Sequence, residues 1–198
     1  MSIGPLEPGA VHIWTAVVDT RPAVLATLAQ TLNASENART EAFRFERHCV
    51  RCVFRRGMLR TLLGRYVDAD PARLVFDANA FGKPSLPDTA SSRRPTFSVS
   101  HSGEMVVIAI TSGREVGVDV EAIRPISDIE AIARHHFASA ERARIAGASA
   151  GDRNLLFLRL WTRKEGCVKA ARLRGGPCGP GRGGGDRMQG VETVCVRC

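Results

Sequence analysis

The run MVVIAI at 105–110 constrains the fold of this chain more than any other stretch. Continuous apolar text of that length, bounded by polar turns, reads as a strand covered on both faces. The residues around it repeat the theme. Phe97 to Ser100 alternates apolar and small polar residues, Ser100-His101-Ser102-Gly103 makes a turn, and Ser112-Gly113-Arg114-Glu115 makes a tight hairpin into a third strand, Val116 to Val120. Three strands with such short connections are expected to form an antiparallel meander, since parallel strands need a long crossover. The third strand ends in acids. Asp119 and Glu121 flank one apolar residue, so an extended backbone points both to the same face.

The rest of the chain reads as mixed α and β. Val11 to Val18 is a β-branched strand, and Pro22 to Leu32 has helical apolar spacing. Ser35 is placed to cap a second helical start. Ala38 to Tyr66 reads as one helix carrying Arg44, Arg47, Arg51, Arg55 and Arg56 between apolar stripes, and it is expected to run through Gly57 at some cost in propensity. A short strand is expected at Leu74 to Asp77, and a turn at Phe81-Gly82-Lys83-Pro84 presents Lys83 between a flexible and a rigid residue. Ile126 to Phe137 is helical, and Ser139 caps another helix. Asn154 to Leu173 is the strongest amphipathic helix, with Leu155, Leu158, Trp161 and Val168 inward. Glu165 and Lys169 lie one turn apart on one of its faces. After Leu173 the text changes. Residues 174–198 hold eight of the 19 glycines and read as disordered, with a short VETVCV strand at the end.

Composition narrows the function classes. At 198 residues the chain can bury a substantial core. No apolar run is long enough to span a membrane and the N-terminus lacks a secretory pattern, so a cytoplasmic protein is expected. The net charge of +8 suits an anionic partner, but one Tyr and two Trp supply few stacking platforms for nucleic acid. Six cysteines include two C-x-x-C pairs, Cys49/Cys52 and Cys195/Cys198. Their separation in the chain favours free thiols in a reducing compartment over a zinc site. Ser100 and His101 are adjacent on a strand, so they face opposite ways and are poorly arranged as nucleophile and base. Holding an anion suits them better. Asp119, Glu121 and a helical Glu165 are the oxygen donors a hard divalent cation takes, if the two elements meet.

Four pieces then stand in order: F-G-K-P (Phe81 to Pro84), F-S-V-S-H-S (Phe97 to Ser102), V-G-V-D-V-E (Val116 to Glu121) and L-W-T-R-K-E-G-C-V-K (Leu160 to Lys169). In these pieces and their spacing the chain resembles the 4′-phosphopantetheinyl transferases of the surfactin-synthetase-activating type, from about residue 11 to 173. The resemblance implies an α+β fold of two similar lobes related by a pseudo-twofold, with antiparallel sheets, packed helices and the active site in the cleft between lobes. It divides the chain into an N-terminal lobe at 1–115, a partial C-terminal lobe at 116–173 and the tail at 174–198. It implies transfer of 4′-phosphopantetheine from coenzyme A to a serine of an acyl or peptidyl carrier protein, in fatty acid, polyketide or nonribosomal peptide synthesis. Asp119, Glu121 and Glu165 would hold Mg²⁺. Arg44, Arg47, Lys83, Ser100, His101 and Lys169 would contact coenzyme A, and Glu165 and Lys169 would be catalytic. A monomer is expected. The family continues after the helix lysine with further strands, whereas here AARLRGGPCGPGRGGG follows, so the second lobe is expected to be incomplete. Two alternatives stay open at this point: a remnant that binds coenzyme A without transferring, and a basic nucleic-acid-binding protein.

Overall fold

The computed structural model describes residues 6–78, 84–87, 95–171 and 191–195. The sequence-predicted Lys83 turn and most of the Gly-rich tail lie outside the described residues. The fold is mixed α+β. Strands β1 (Val11–Val17), β4 (Pro95–Ser102) and β5 (Met105–Ser112) form an antiparallel sheet in the order β1-β5-β4. A two-residue pair, β2 (Asp77–Ala78) with β3 (Pro84–Ser85), lies apart. β6 (Glu115–Asp119) pairs in parallel with β7 (Val191–Cys195). The helices are α1 (Pro22–Ala29), α2 (Ala34–Glu41), α3 (Glu46–Val67), α4 (Ile129–His136), α5 (Ser139–Ala146) and α6 (Ala150–Ala170).

β5 is buried on both faces, as its composition requires. Val106, Ile108 and Ile110 point into one core with Phe54, Leu59, Leu62 and Leu63 of α3, Leu28 of α1 and Phe97 of β4. Val107 and Ala109 point the other way, against Val116, Val118 and Val120. A third core sits among α4, α5 and α6, where Phe137, Phe157 and Trp161 pack ring on ring.

The expected meander is corrected at its third strand. β5 already has β4 on one edge and β1 on the other, with Val11 opposite Thr111 and Val17 opposite Met105. No backbone edge of β5 is left for β6. β6 instead runs alongside β4 over the face that carries Val107 and Ala109, and its alternation separates its duties: Val116, Val118 and Val120 face β5, while Gly117 and Asp119 face α6. Two helix starts also differ. Asn33, not Ser35, caps α2, accepting from the Glu36 N–H at 2.9 Å while the Glu36 carboxylate accepts from the Asn33 N–H at 3.2 Å. This reciprocal box satisfies two helix-end donors, where a lone Ser35 cap would satisfy one. Ser139 is the first residue of α5, and Ala138 precedes it as the cap. The single helix expected over 38–66 is interrupted between Glu41 and Glu46, where Phe45 takes an extended backbone, and then runs unbroken through Gly57.

Arg60 of α3, unremarked in the sequence, is fully buried. Its Nε donates to Glu36 Oε2 at 2.6 Å, its Nη1 donates to the carbonyls of Pro71 and Leu74, and its plane lies over the Phe76 ring. It ties the α2 cap to the turn after α3. A planar, always-charged fork suits such a multidentate buried post better than a lysine would.

Candidate active site

The site is built where β4, β6 and α6 meet, and glycine brings them together. A Cβ placed on Gly117 would lie 1.8 Å from the Gly166 carbonyl oxygen and 2.6 Å from the Ala170 nitrogen. The helix backbone therefore rests directly on the strand backbone, and any side chain at 117 would push it away. At that distance the next residues on the same faces meet. Asp119 is buried, and the Lys169 Nζ donates to its Oδ1 at 2.6 Å. The Ser100 hydroxyl donates to the same Oδ1 at 2.7 Å and accepts from Lys169 Nζ at 3.1 Å. Asp119, Ser100 and Lys169 thus form a closed triangle linking all three elements. The other oxygen, Asp119 Oδ2, is buried with no hydrogen-bond partner among the described residues.

Glu165 lies one turn before Lys169 on α6. Burial first, and then the negative charge of Asp119, push its carboxyl up from the usual range. Glu121 adds to this, while Lys169 and His136 oppose it. The three acids that the motifs single out are therefore close enough to repel one another. Among the described residues, no three His, Cys, Asp or Glu side chains converge as a ready metal cage. The Ser102 hydroxyl donates to Glu121 Oε2 at 3.0 Å. Beside Glu121 opens an apolar cavity of about 160 Å³, lined by Ile126, Ile132, Phe157, Leu158 and Trp161 with Arg124 at its edge. Sequence reasoning did not find this cavity, because its walls come from three separate elements.

His101 faces the opposite side of β4 from Ser100, as strand alternation requires, and looks toward α3. Burial lowers its imidazole from the ordinary value, and the positive charges of Arg55, Lys169 and Arg51 lower it further against an opposing pull from Asp119. Its proton affinity is thus lowered amid a field of cations. Arg51 is also bonded to Glu104, its Nε donating to Oε1 at 2.9 Å. Burial pulls the Arg55 guanidinium down, against a contact with Cys52. Arg44 and Arg47, the candidates from the Arg-rich stretch, are exposed just before α3 and in its first turn, with their guanidinium groups over the Phe45 ring at 5.5 and 5.0 Å. Helical spacing places Arg47, Arg51 and Arg55 along one stripe, and only its inner end reaches His101. Sequence alone shows the stripe but not which rung meets the site. Cys49 and Cys52 are free thiols. Of the second C-x-x-C pair, Cys195 ends β7 and Cys198 lies outside the described residues.

Matches to known proteins point to one family. A family model described as 4′-phosphopantetheinyl transferase, N-terminal, matches residues 18–113, and one described as 4′-phosphopantetheinyl transferase superfamily matches residues 115–192. The 4′-phosphopantetheinyl transferase HetI of Nostoc sp. is 35% identical over 160 residues, covering 81% of this chain and 68% of the relative. A Synechocystis sp. protein is 34% identical over 159 residues, covering 80% and 63%. The 4′-phosphopantetheinyl transferase Sfp of Bacillus subtilis is 30% identical over 112 residues, covering 57% and 47%. The chain thus spans about half to two thirds of the length of the relatives it matches. With the two models following one another along the chain and both acid-bearing motifs inside the second, the chain belongs to the 4′-phosphopantetheinyl transferase superfamily.

Proposed function

We propose that this chain transfers the 4′-phosphopantetheine group of coenzyme A to a serine hydroxyl of an acyl or peptidyl carrier protein, with a divalent cation, Mg²⁺ by its ligand chemistry, held at Asp119, Glu121 and Glu165. The observation that carries the reading is the buried, unpartnered Asp119 Oδ2 beside an acid whose charge is disfavoured. A buried carboxylate oxygen without a donor is costly, and a cation relieves both it and the repulsion among the acids. Mg²⁺ keeps waters and takes substrate phosphates to complete its shell, so the acids need supply only part of it. Such an ion, once bound with substrate, neutralises charge that develops on the phosphoryl oxygens.

The chain's own residues supply the rest. The carrier serine oxygen attacks the phosphorus next to pantetheine. The bond from that phosphorus to the bridging oxygen breaks, and 3′,5′-ADP leaves with the electron pair. Glu165, on α6 one turn before Lys169, is the residue assigned to take the serine proton. Lys169, fixed by Asp119 and Ser100, presents a cation to the phosphoryl oxygens. His101, with Arg51 and Arg55 behind it, forms a basic wall for the remaining phosphates. Lys83 belongs to the same proposal on motif position, and Arg44 and Arg47 on their place in the Arg-rich stretch. The net charge of +8 suits an acidic carrier surface.

The test is incubation with coenzyme A, Mg²⁺ and an apo carrier protein, read by intact mass. The expected result is a carrier heavier by one phosphopantetheine, lost on chelation and lowered about 100-fold or more in Asp119→Asn, within the range for removing a preorganised charge from an active site. An unmodified carrier, or Asp119→Asn at full rate, would sink the assignment.

A further inference from the structure

Three serines on β4 do something that neither the motif nor the chemistry above assigns. Strand alternation puts Ser98, Ser100 and Ser102 on one face, toward β6. Their hydroxyl oxygens accept from the backbone N–H groups of Val118 at 3.1 Å, Val120 at 3.3 Å and Ala122 at 2.9 Å. The two strands thus run side by side with serine side chains standing in for the backbone carbonyls of an ordinary ladder. Each hydroxyl still has one hydrogen to give, and Ser100 and Ser102 give theirs to the residue before the N–H donor. For Ser100 that residue is Asp119, at 2.7 Å to Oδ1, and for Ser102 it is Glu121, at 3.0 Å to Oε2. For Ser98 it is Gly117, which has no side chain to receive it.

We propose that Ser102 is a positioning residue whose hydroxyl fixes the Glu121 carboxylate for cation binding, as Ser100 does for Asp119, while Ser98 performs the stitching alone. A carboxylate with one oxygen held by a donor has a set plane, so its other oxygen meets a cation without a search. Ser102 achieves this because its own orientation is fixed by the Ala122 N–H. The molecule therefore contains its own control. Ser98→Ala removes a strand-to-strand hydrogen bond and touches no acid. Ser102→Ala removes an equivalent bond and frees Glu121 as well. The inference rests on the proposed cation site, and the experiment separates the two.

Mn²⁺, whose spin reports binding directly, is titrated into the intact protein with saturating coenzyme A and followed by electron paramagnetic resonance. The expected order is wild type and Ser98→Ala within about twofold of each other, and Ser102→Ala weaker by about tenfold or more, the loss typical of removing a partner that orients a metal ligand. Ser102→Thr, which keeps the hydroxyl, is expected to restore affinity. Thermal unfolding of each variant sets a measuring temperature at which all are folded. Should Ser102→Ala fail to fold, Ser102→Cys, similar in size but a weak donor, carries the same expectation. Equal losses in Ser98→Ala and Ser102→Ala would overturn the positioning role and leave the cation site standing. Wild-type protein that binds no Mn²⁺ would remove the cation site, and the positioning role with it.

Discussion

The two long helices, α3 and α6, pack on their strands in opposite ways. α3 meets the sheet through large side chains: Phe54, Leu59, Leu62 and Leu63 interlock with Phe97, Val106, Ile108 and Ile110. α6 meets β6 through the absence of side chains, at Gly117, Gly166 and Ala170. The first contact buries apolar area and stabilises. The second gives up that area and sets a distance. Leucine rotamers can readjust around a small error, whereas two backbones in contact leave nothing to readjust. The helix that carries Glu165 and Lys169 is the one seated on backbone.

That contrast is most sharply tested at Gly117. Gly117→Ala forces α6 off β6, because the added methyl would sit 1.8 Å from a carbonyl oxygen. Transfer to the carrier is expected to fall about 100-fold or more, since misplacement on the order of 1 Å costs that much, with about 1–3 kcal/mol of stability lost to overpacking. Full turnover in this variant would break the comparison. Leu63→Ala is the mirror case. The Leu63 side chain is fully buried, and its truncation is expected to destabilise by about 2–5 kcal/mol. Per folded molecule, the rate should then stay within about twofold of wild type in assays below the melting temperature. A large loss of kcat in folded Leu63→Ala would mean that α3 also sets the site's geometry.

Much of this was legible in the sequence, and the exceptions share a cause. The two-faced burial of 105–110, the common face of Asp119 and Glu121, the divergence of Ser100 and His101, and the helix bearing Glu165 and Lys169 all follow from period alone. Period is a property of one segment. What it cannot state is which segment lies opposite. The apparent hairpin from β5 into β6 looked like a ladder because its turn is short, yet β1, far away in the chain, had already taken that edge. Lys169 was legible as a helical neighbour of Glu165, but its bond to Asp119 depends on a glycine contact between distant elements. Ser98, Ser100 and Ser102 were visible as alternating small polar residues. Their use as substitute carbonyls required knowing that a strand edge runs beside them. Gly117 was visible as part of a motif, without a reason for being glycine.

The smallest expected effect concerns acid. His101 has its proton affinity lowered by burial and by Arg55, Lys169 and Arg51, so the unfolded chain takes up a proton at higher pH than the folded one. Its contribution to stability is therefore present above the unfolded value of about 6.5 and is lost as pH falls through the lower folded value. Between pH 7.5 and 5.5 the wild type should lose slightly more stability than His101→Gln, measured by urea unfolding at each pH. An equal or smaller loss in the wild type would mean that burial and these cations do not lower His101 in the folded protein.

The order β1-β5-β4 has a consequence for how the chain is made. Val17 pairs with Met105, so closing this sheet joins ends about ninety residues apart, a separation whose entropic cost rises only slowly with length but which delays the search. During synthesis β1 emerges first and must wait, edge open, until β5 has left the ribosome. Its early neighbours are α1 and α3, whose apolar faces share a core with Trp14 and Ala16. Among the described strands β1 thus waits across the longest stretch of chain, since β6 and β7 are closer in sequence although they pair later. Val17, still exposed in the finished fold, sits at the end of the strand where that late zipping meets the β4–β5 turn.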